Sequence, residues 1–322
     1  MKLNTVYMEQ GVRNHPNTLK IIKKIKFSQI ILCDKYSEIF NPKNQNFRIQ
    51  KLNPDLILCK KNKNFLLSTP KKFTIGYEEN YYFSHMLNCI YDCKYCFLQG
   101  MFNSANYVIF VNYEDFFNEI ENLVTKKKHK QICFFSGYNC DSLALEKITN
   151  FLKYSLKYFS KFNNAILEIR TKNINVNWLT KLKPLKNVII AFSLNPEELV
   201  DKYEKKTPSL KQRLIAIKKV QNIGWKVGLR FDPIINYEKN KEIYKKFFNE
   251  IFLGINSRNI HSITLGTFRM PKNFFEKMVK IMPNESLEFN HMIETKQSIR
   301  KIKKDCKKEL IKFVDNEIIY FN

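Results

Sequence analysis

The chain has 322 residues, of which 44% are apolar, so it is long enough for two domains or for one large α/β domain with an extension. This apolar content excludes a chain that is disordered throughout. Its 55 Lys and Arg residues exceed its 30 Asp and Glu residues, which gives a formal net charge of +25. The imbalance favours a polyanionic partner such as nucleic acid, although basic residues spread evenly over the surface would give the same total.

The N-terminal residues lack the apolar segment of a signal peptide, and no later segment approaches the roughly 20 apolar residues needed to cross a bilayer. We therefore expect a cytoplasmic protein. A chain of this size without an export signal does not need disulfides, so its eight cysteines are expected to be thiols, metal ligands or core residues.

The hydrophobic pattern divides the chain into three predicted parts. Residues 1–75 have the pattern of a small α/β domain, with a helix near 17–26 and strands near 29–33 and 55–59. Residues 76–290 alternate β-rich segments with helix-length amphipathic segments, as consecutive βα units do. Residues 291–322 are predicted to form a basic C-terminal helical extension.

The second part contains six predicted βα units. Strands are predicted near 81–87, 131–136, 165–171, 187–193, 225–232 and 260–266. Helices are predicted near 113–126, 141–159, 175–182, 208–222, 238–252 and 271–281. The fold class is therefore predicted to be α/β, with a partial (β/α)6 barrel, a small N-terminal α/β extension and a C-terminal helix.

Polar side chains follow several of these strands, at the end of a barrel where βα loops converge and active sites form. They are Ser136, Cys140, Arg170, Lys172, Ser193, Asn195, Arg230 and Asp232. Each alone could cap a helix or bond loop backbone. Together they predict one polar mouth.

Three cysteines, Cys89, Cys93 and Cys96, follow the first predicted barrel strand with C-x3-C-x2-C spacing. Such a loop can hold three irons of a cubane iron–sulfur cluster and leave the fourth iron open for a cofactor. A structural zinc site is the alternative, and it would need a fourth ligand. His85, Cys133 or Cys140 could supply that ligand.

The segment from Ser84 to Gln99, with Cys140-Asp-Ser142 downstream, resembles the spore photoproduct lyase family of the radical S-adenosylmethionine superfamily. The resemblance continues at 171–172, 192–195, 203–213, 224–228 and 232–234, and it covers roughly residues 80 to 270. It implies a [4Fe–4S] cluster that reduces S-adenosylmethionine to a 5′-deoxyadenosyl radical. The radical would take hydrogen from a thymine-dimer-type lesion in DNA, and a cysteine would return hydrogen to the product.

The resemblance also implies roles for individual residues. Cys89, Cys93 and Cys96 correspond to the cluster ligands, and Cys140 to the hydrogen-donor cysteine. Tyr95 would relay hydrogen or pack against the cluster. The positions implied to lie near S-adenosylmethionine are Ser142, Lys172 and Ser193.

Two features depart from the family pattern. Phe97 stands where the pattern has a second tyrosine after the last cluster cysteine, which argues against a cysteine-to-tyrosine relay. The C-terminal hairpin that carries an Arg-Tyr pair has no clear counterpart, and a lysine-rich helical segment from 294 to 313 occupies its place. This segment could follow a phosphate backbone, or it could bury one apolar face and leave its lysines in solvent.

The leading interpretation is a radical S-adenosylmethionine lyase that acts on nucleic acid, DNA above all, and takes electrons from a donor such as flavodoxin or ferredoxin. The first alternative keeps this chemistry with RNA, a peptide or a small metabolite as substrate. The second is a zinc-containing, non-catalytic nucleic-acid-binding protein. The sequence does not indicate an oligomeric state.

Overall fold

The computed structural model describes residues 2–70 and 72–322. The strands are β1 (Lys2–Glu9), β2 (Lys26–Cys33), β3 (Leu56–Cys59), β4 (Leu67–Ser68), β5 (Glu79–Phe83), β6 (Met86–Leu87), β7 (Asp92–Cys93), β8 (Tyr107–Phe110), β9 (Ile132–Ser136), β10 (Ala165–Thr171), β11 (Val188–Ser193), β12 (Glu204–Lys205), β13 (Lys226–Ile234), β14 (Ile260–Thr267) and β15 (Ile319–Phe321). The helices are α1 (Pro16–Ile22), α2 (Phe47–Leu52), α3 (Leu98–Met101), α4 (Tyr113–Lys126), α5 (Glu146–Thr149), α6 (Phe151–Phe159), α7 (Glu197–Tyr203), α8 (Leu210–Ile223), α9 (Tyr237–Gly254), α10 (Lys272–Ile281), α11 (Ser286–Met292) and α12 (Lys296–Leu310).

The larger sheet has the order β15-β14-β13-β11-β10-β9-β5-β4. From β5 to β14 the neighbouring strands are parallel and follow one another along the chain, with β15 added in parallel and β4 antiparallel at the edges. These are the six predicted barrel strands in the predicted order. The α/β partial barrel is confirmed.

Strands β9 and β11 are buried along their whole length, since helices cover the sheet. Polar side chains inside the barrel are paired: Glu168 on β10 accepts two hydrogen bonds from Arg230 on β13, at 3.1 and 2.7 Å. Both side chains are fully buried. The prediction that Arg230 lines the mouth is therefore wrong, because its charge is held by Glu168 in the core.

The smaller sheet has the order β2-β1-β3-β8-β6. Two of its strands come from beyond residue 75: β6 precedes the three cysteines and β8 follows them. They pair antiparallel to each other, and β8 runs parallel to β3. The segment between them, residues 88–106, is called the cysteine loop below. The division into parts at residues 75 and 290 stays a prediction.

Three predicted helices differ from the structure. The helix predicted near 17–26 ends at Ile22, and β2 begins at Lys26. The helix predicted over 141–159 is divided into α5 and α6 at Asn150, which has a φ of 50°. The carboxylate of Glu146 accepts hydrogen bonds from the amides of Leu152 and Lys153 at 3.0 Å, so it caps α6 from the preceding helix. The helix predicted over 175–182 is reduced to a 3-10 turn at Leu179–Lys181.

The basic C-terminal segment forms α12, which buries Ile302, Cys306 and Leu310 along one face. Beyond its end, the Phe313 ring stacks on Phe252 of α9 with centroids 4.6 Å apart. Of the two alternatives given for this segment, the structure shows the buried apolar face. Within the described ranges, no helix is both long enough and apolar enough to span a membrane.

Candidate active site

A cavity of about 1060 Å³ opens at the carboxyl ends of the parallel strands. Residues at or near the ends of four strands line it, namely Ser136 of β9, Thr171 of β10, Ser193 of β11 and Ile234 of β13. Parallel strands of a barrel present these ends on the same side, so their loops converge. The predicted mouth therefore exists.

Most of the predicted site residues line this cavity: Cys89, Cys93, Tyr95, Cys96, Cys140, Lys172 and Ser193. Ser142 is fully buried, and its hydroxyl lies 2.7 Å from that of Ser136. Asn195 is also buried and bonds Glu204 at 3.0 Å. Among the described residues, neither Ser142 nor Asn195 belongs to the cavity wall.

The cysteine loop is held by strand β12 and by Gln99, a residue of the loop itself. Cys93 in β7 pairs with Glu204 in β12, and the amide of Lys94 donates to the carbonyl of Tyr203 at 2.8 Å. The side chain of Gln99 donates to the carbonyls of Cys93 and Lys94 at 2.9 and 3.1 Å. Backbone bonds therefore fix the middle of the loop, and the three thiols lie at one wall.

The thiols are in a setting that fits an iron–sulfur cluster. Burial raises the pKa of Cys89 to about 12, and the nearby Asp141 raises it further while Lys51 opposes the shift. Burial also raises the pKa of Cys96, against Lys51 and Lys172. Two cations thus lie near thiols that must become thiolates to bind metal.

Among the described residues, no three His, Cys, Asp or Glu side chains are grouped as ligands of one metal ion. A cubane cluster differs from such an ion because each thiolate binds a separate iron. The alternative fourth zinc ligands are placed as follows. The His85 ring stacks on Phe151 at 3.9 Å, Cys133 lies in a separate apolar cluster, and Cys140 lines the cavity.

A buried carboxylate, Glu204, organises the wall beside the cysteines. Its Oε2 atom lies 2.5 Å from Nη2 of Arg213, and both side chains are fully buried. Its Oε1 atom accepts hydrogen bonds from Tyr95 and from Asn195. Burial raises the pKa of Glu204, but Lys172 and Arg213 outweigh it and hold this pKa at about 2. Glu204 is therefore ionised at neutral pH.

Lys172 approaches the same carboxylate, with its Nζ atom 3.8 Å from Oε1 of Glu204. The amine also lies 5.6 Å from the centre of the Tyr95 ring. Burial lowers the pKa of Lys172, whereas Glu204 and Cys93 together raise it above its usual value. The cavity thus contains a fixed ammonium group next to the cysteine wall, suited to a carboxylate ligand.

Cys140 and Asp141 also line the cavity, close enough to Cys89 for their charges to interact with its thiol. The Asp141 carboxylate accepts hydrogen bonds from the Thr171 hydroxyl at 2.7 Å and from the Lys172 amide at 2.6 Å. Burial raises the pKa of Cys140 well above its usual value, and Cys89 and Asp141 raise it further. The turn before it needs Gly137, which has a φ of +78° and would place a Cβ 2.3 Å from Oγ of Ser142.

The smaller sheet contributes to the site through α2. The buried amine of Lys51 donates to the carbonyl of Cys89. Arg48 bonds both carboxylate oxygens of Asp92 at 2.6 and 3.1 Å, and it reaches the Gln99 side chain at 3.0 Å. The N-terminal residues thereby brace the outer side of the cysteine loop.

Sequence reasoning missed Glu204, Asp141 and Lys51. Glu204 and Arg213 lie within the 203–213 segment that carries the family resemblance. They are nine residues apart, before and after the start of α8, and this spacing was the available signal for an ion pair. Asp141 directly follows Cys140, and its signal was its place within the Cys140-Asp-Ser142 segment of the same resemblance. Lys51 had none, because its role depends on contact between distant segments.

Comparison with known proteins decides the family. The family model for spore photoproduct lyase matches residues 4–317. The chain belongs to the spore photoproduct lyase family. The predicted family and enzyme class are confirmed.

Spore photoproduct lyase of Clostridium acetobutylicum is 24% identical over 257 residues, which cover 76% of this chain and 74% of the relative. Spore photoproduct lyase of Bacillus subtilis is 25% identical over 193 residues, covering 60% of this chain and 56% of the relative.

Solved structures of spore photoproduct lyase share the fold. One, a mutant with bound AdoMet and dinucleoside spore photoproduct, superimposes with a TM-score of 0.83 at 17% identity over 99% of this chain and 98% of its own. Another, complexed with dinucleoside spore photoproduct, has a TM-score of 0.84 at 18% identity and covers 99% of both chains. The partial barrel is therefore the fold of this family.

Proposed function

We propose that the protein is a radical S-adenosylmethionine lyase that repairs a thymine-dimer-type lesion in DNA. The observation that carries this proposal is that Cys89, Cys93, Cys96 and Cys140 line one cavity. Family membership supports it. The net charge of +25 agrees with a DNA partner.

Cys89, Cys93 and Cys96 would each hold one iron of a [4Fe–4S] cluster. When bound and reduced, a cluster held by these residues would supply the one-electron reduction of S-adenosylmethionine that provides the radical for hydrogen abstraction from the lesion. Lys51 and Lys172 lie beside the thiols and offset the negative charge of bound thiolates.

The other predicted residues receive roles from their positions. The Lys172 ammonium would bind the methionine carboxylate of S-adenosylmethionine, and the Ser193 hydroxyl would bond its polar groups. Ser142 would act on the cofactor through Ser136, whose hydroxyl it touches and which lines the cavity. Tyr95 would pack against the cluster, because its hydroxyl is bonded to Glu204.

Cys140 would return a hydrogen atom to the product radical. Its thiol lies at the cavity wall and is buried, so it is protected from bulk solvent. Phe97 follows the last cluster cysteine and has no hydroxyl hydrogen, so the residue at this position cannot relay hydrogen in this chain. We propose that a small electron carrier such as flavodoxin or ferredoxin supplies the electron, and that the protein works in the cytoplasm.

The first test is the iron and sulfide content of anaerobically purified protein, with electron paramagnetic resonance spectra recorded with and without S-adenosylmethionine. We expect about four irons per chain and a signal that the cofactor perturbs. Cys93→Ser should lose this signal, whereas Cys33→Ser, which changes a thiol outside the cavity, should keep it. Zinc in place of iron after reconstitution would contradict the proposal.

The second test is the substrate. Reconstituted protein is given DNA carrying the thymine-dimer lesion, undamaged DNA, or transfer RNA, and the thymines restored in the strand and any modified products are measured. Repair of the lesion alone supports the proposal. S-adenosylmethionine cleavage that couples only to RNA, or to neither nucleic acid, would reject the DNA substrate while keeping the radical chemistry.

A further inference from the structure

Three cations from distant parts of the chain meet at the outer part of the cavity. Lys72 lies in the connection between β4 and β5, Arg269 in the loop after β14, and Lys303 on α12. All three line the same cavity, although the sequence separates them by up to 231 positions, from 72 to 303. Only the tertiary fold brings them together.

These cations are poorly neutralised by the protein. Arg269 has a carboxylate partner, since its Nη2 atom lies 3.1 Å from Asp232. In the part of the chain that the structure describes, no carboxylate lies within 4.0 Å of the amines of Lys72 or Lys303. Glu294 lines the cavity, but its carboxylate is bonded to the Ser298 hydroxyl at 2.5 Å.

Lys303 is held in place by its surroundings. Its amine lies over the ring of Phe321, 5.3 Å from the ring centre, and Phe321 also lines the cavity. Burial lowers the pKa of Lys303, and the charges of Lys72 and Arg269 lower it further. Lys303 is thus close enough to be repelled by each of the other two charges, and a bound anion would relieve that repulsion.

We propose that Lys72, Arg269 and Lys303 form a binding site for the phosphodiester that links the two nucleosides of the lesion. This inference rests on the proposed function, because a lesion between neighbouring thymines carries one such phosphate. The methionine carboxylate is the other anion to be bound, and Lys172 on the cysteine wall is the cation suited to it. Lys72 and Lys303, for which no carboxylate partner is described, are therefore the outer cations available to the DNA backbone, with Arg269 beside them.

The site gives α12 a function beyond packing. One face of the helix is buried through Ile302, Cys306 and Leu310, and Lys303 follows Ile302 toward the cavity. Helix α12 would thus hold the lesion strand by its phosphate. Holding the phosphate at the rim leaves the thymine bases to extend inward toward Cys140.

The test compares two lesion substrates, a dinucleotide joined by its phosphodiester and a dinucleoside without the phosphate. The variants are Lys303→Gln and Lys72→Gln, with Lys304→Gln as the matched control, since Lys304 is the neighbouring exposed lysine and lies outside the cavity wall. Thermal unfolding of each variant confirms that it is folded.

We expect wild-type kcat/KM to be higher for the phosphate-linked lesion. Lys303→Gln should lower kcat/KM about tenfold for that substrate, as loss of a charge-assisted hydrogen bond does. For the phosphate-free lesion, the same variant should change kcat/KM less than about twofold. Lys304→Gln should change neither. An equal loss on both substrates, or no loss on either, would overturn the phosphate site.

A binding measurement separates this proposal from the proposed function. Fluorescence anisotropy gives the affinity for each lesion without S-adenosylmethionine, over a range of salt concentrations. Lys303→Gln should reduce the salt dependence for the phosphate-linked lesion by about one counterion. If neither lesion is turned over, the repair activity is rejected, while loss of this phosphate preference in the variant still supports the site. A preference unchanged by Lys303→Gln rejects the site even if repair occurs.

Discussion

The phenol of Tyr95 donates a hydrogen bond to the buried carboxylate of Glu204, which joins the cysteine loop to the strand that pairs with it. The same carboxylate binds Arg213 and faces Lys172. Glu204 thus contacts two groups of the site. One is Tyr95, which lies between the predicted cluster ligands Cys93 and Cys96, and the other is Lys172, which is predicted to bind S-adenosylmethionine. The cysteine loop and the predicted cofactor site therefore share one contact residue, Glu204.

Glu204→Gln should therefore impair both stability and cluster binding. Removing one partner of a buried ion pair leaves Arg213 uncompensated, and we expect unfolding free energy to fall by about 3–5 kcal/mol. Denaturant unfolding measures this loss, and iron content measures the effect on the loop. Glu198→Gln is the control, because Glu198 is exposed on the adjacent α7. Equal stability of the two variants would show that the ion pair contributes no net stabilisation.

The buried ring of His85 gives the protein a pH-dependent stability. Burial lowers the pKa of His85 from 6.5 to about 3, and the ring stacks on Phe151. Above pH 6.5 the ring is neutral in both states. Between pH 6.5 and 3 only the unfolded state binds the proton, so this group reduces stability by up to about 1.4 kcal/mol per pH unit as pH falls.

His85→Phe should remove this part of the pH dependence between pH 6.5 and 4.5, as measured by urea unfolding at several pH values. His129→Phe is the matched control, since His129 is exposed in the loop after α4. If the unfolding free energy of His85→Phe changes with pH as steeply as that of the wild type, other groups produce the pH dependence.

Gly137→Ala should disturb the wall that carries Cys140. The new Cβ would lie 2.3 Å from Oγ of Ser142, and the φ of +78° disfavours any side chain. We expect a loss of about 1–3 kcal/mol in unfolding free energy together with weaker binding of S-adenosylmethionine. Gly254→Ala, where nothing lies within 4 Å of the added carbon, should keep both properties. Unchanged cofactor affinity in Gly137→Ala would separate this turn from the cofactor site.

Cys140→Ala tests the hydrogen-donor role. Reductive cleavage of S-adenosylmethionine should stay within about twofold of wild type, because cluster and cofactor contacts are kept, while correct repair product is lost. Product analysis by mass spectrometry measures the outcome. Cys306→Ala, which changes a buried thiol of α12, should keep repair. Normal repair by Cys140→Ala would assign hydrogen return to another group.

The barrel was predictable because each of its strands is a short apolar segment and each helix has its own apolar period. The strand predicted over 165–171 and the helix predicted over 113–126 match β10 and α4 residue for residue. Failures came where contacts between segments decide the structure. Strand β8 has only four residues and is stabilised by β3 and β6, and the division between α5 and α6 depends on the Glu146 cap.

The same distinction applies to the site. The spacing of Cys89, Cys93 and Cys96 is local and was visible in the sequence. Glu204 and Lys51 contact the cysteine loop and Lys303 lines the cavity, each from a different element, and no single segment signals their convergence. The sequence does indicate that Ser142 lies near the site, but only the structure places Ser136 between its hydroxyl and the cavity.

The pairing of β6 with β8 has a consequence for how iron reaches the site. Met86 lies opposite Ile109 and Leu87 opposite Val108, so both ends of the cysteine loop are joined by protein contacts alone. The entropy lost on closing a loop is then spent when the chain folds rather than when metal binds. The ends of the cysteine loop should therefore stay paired in protein from which iron has been removed.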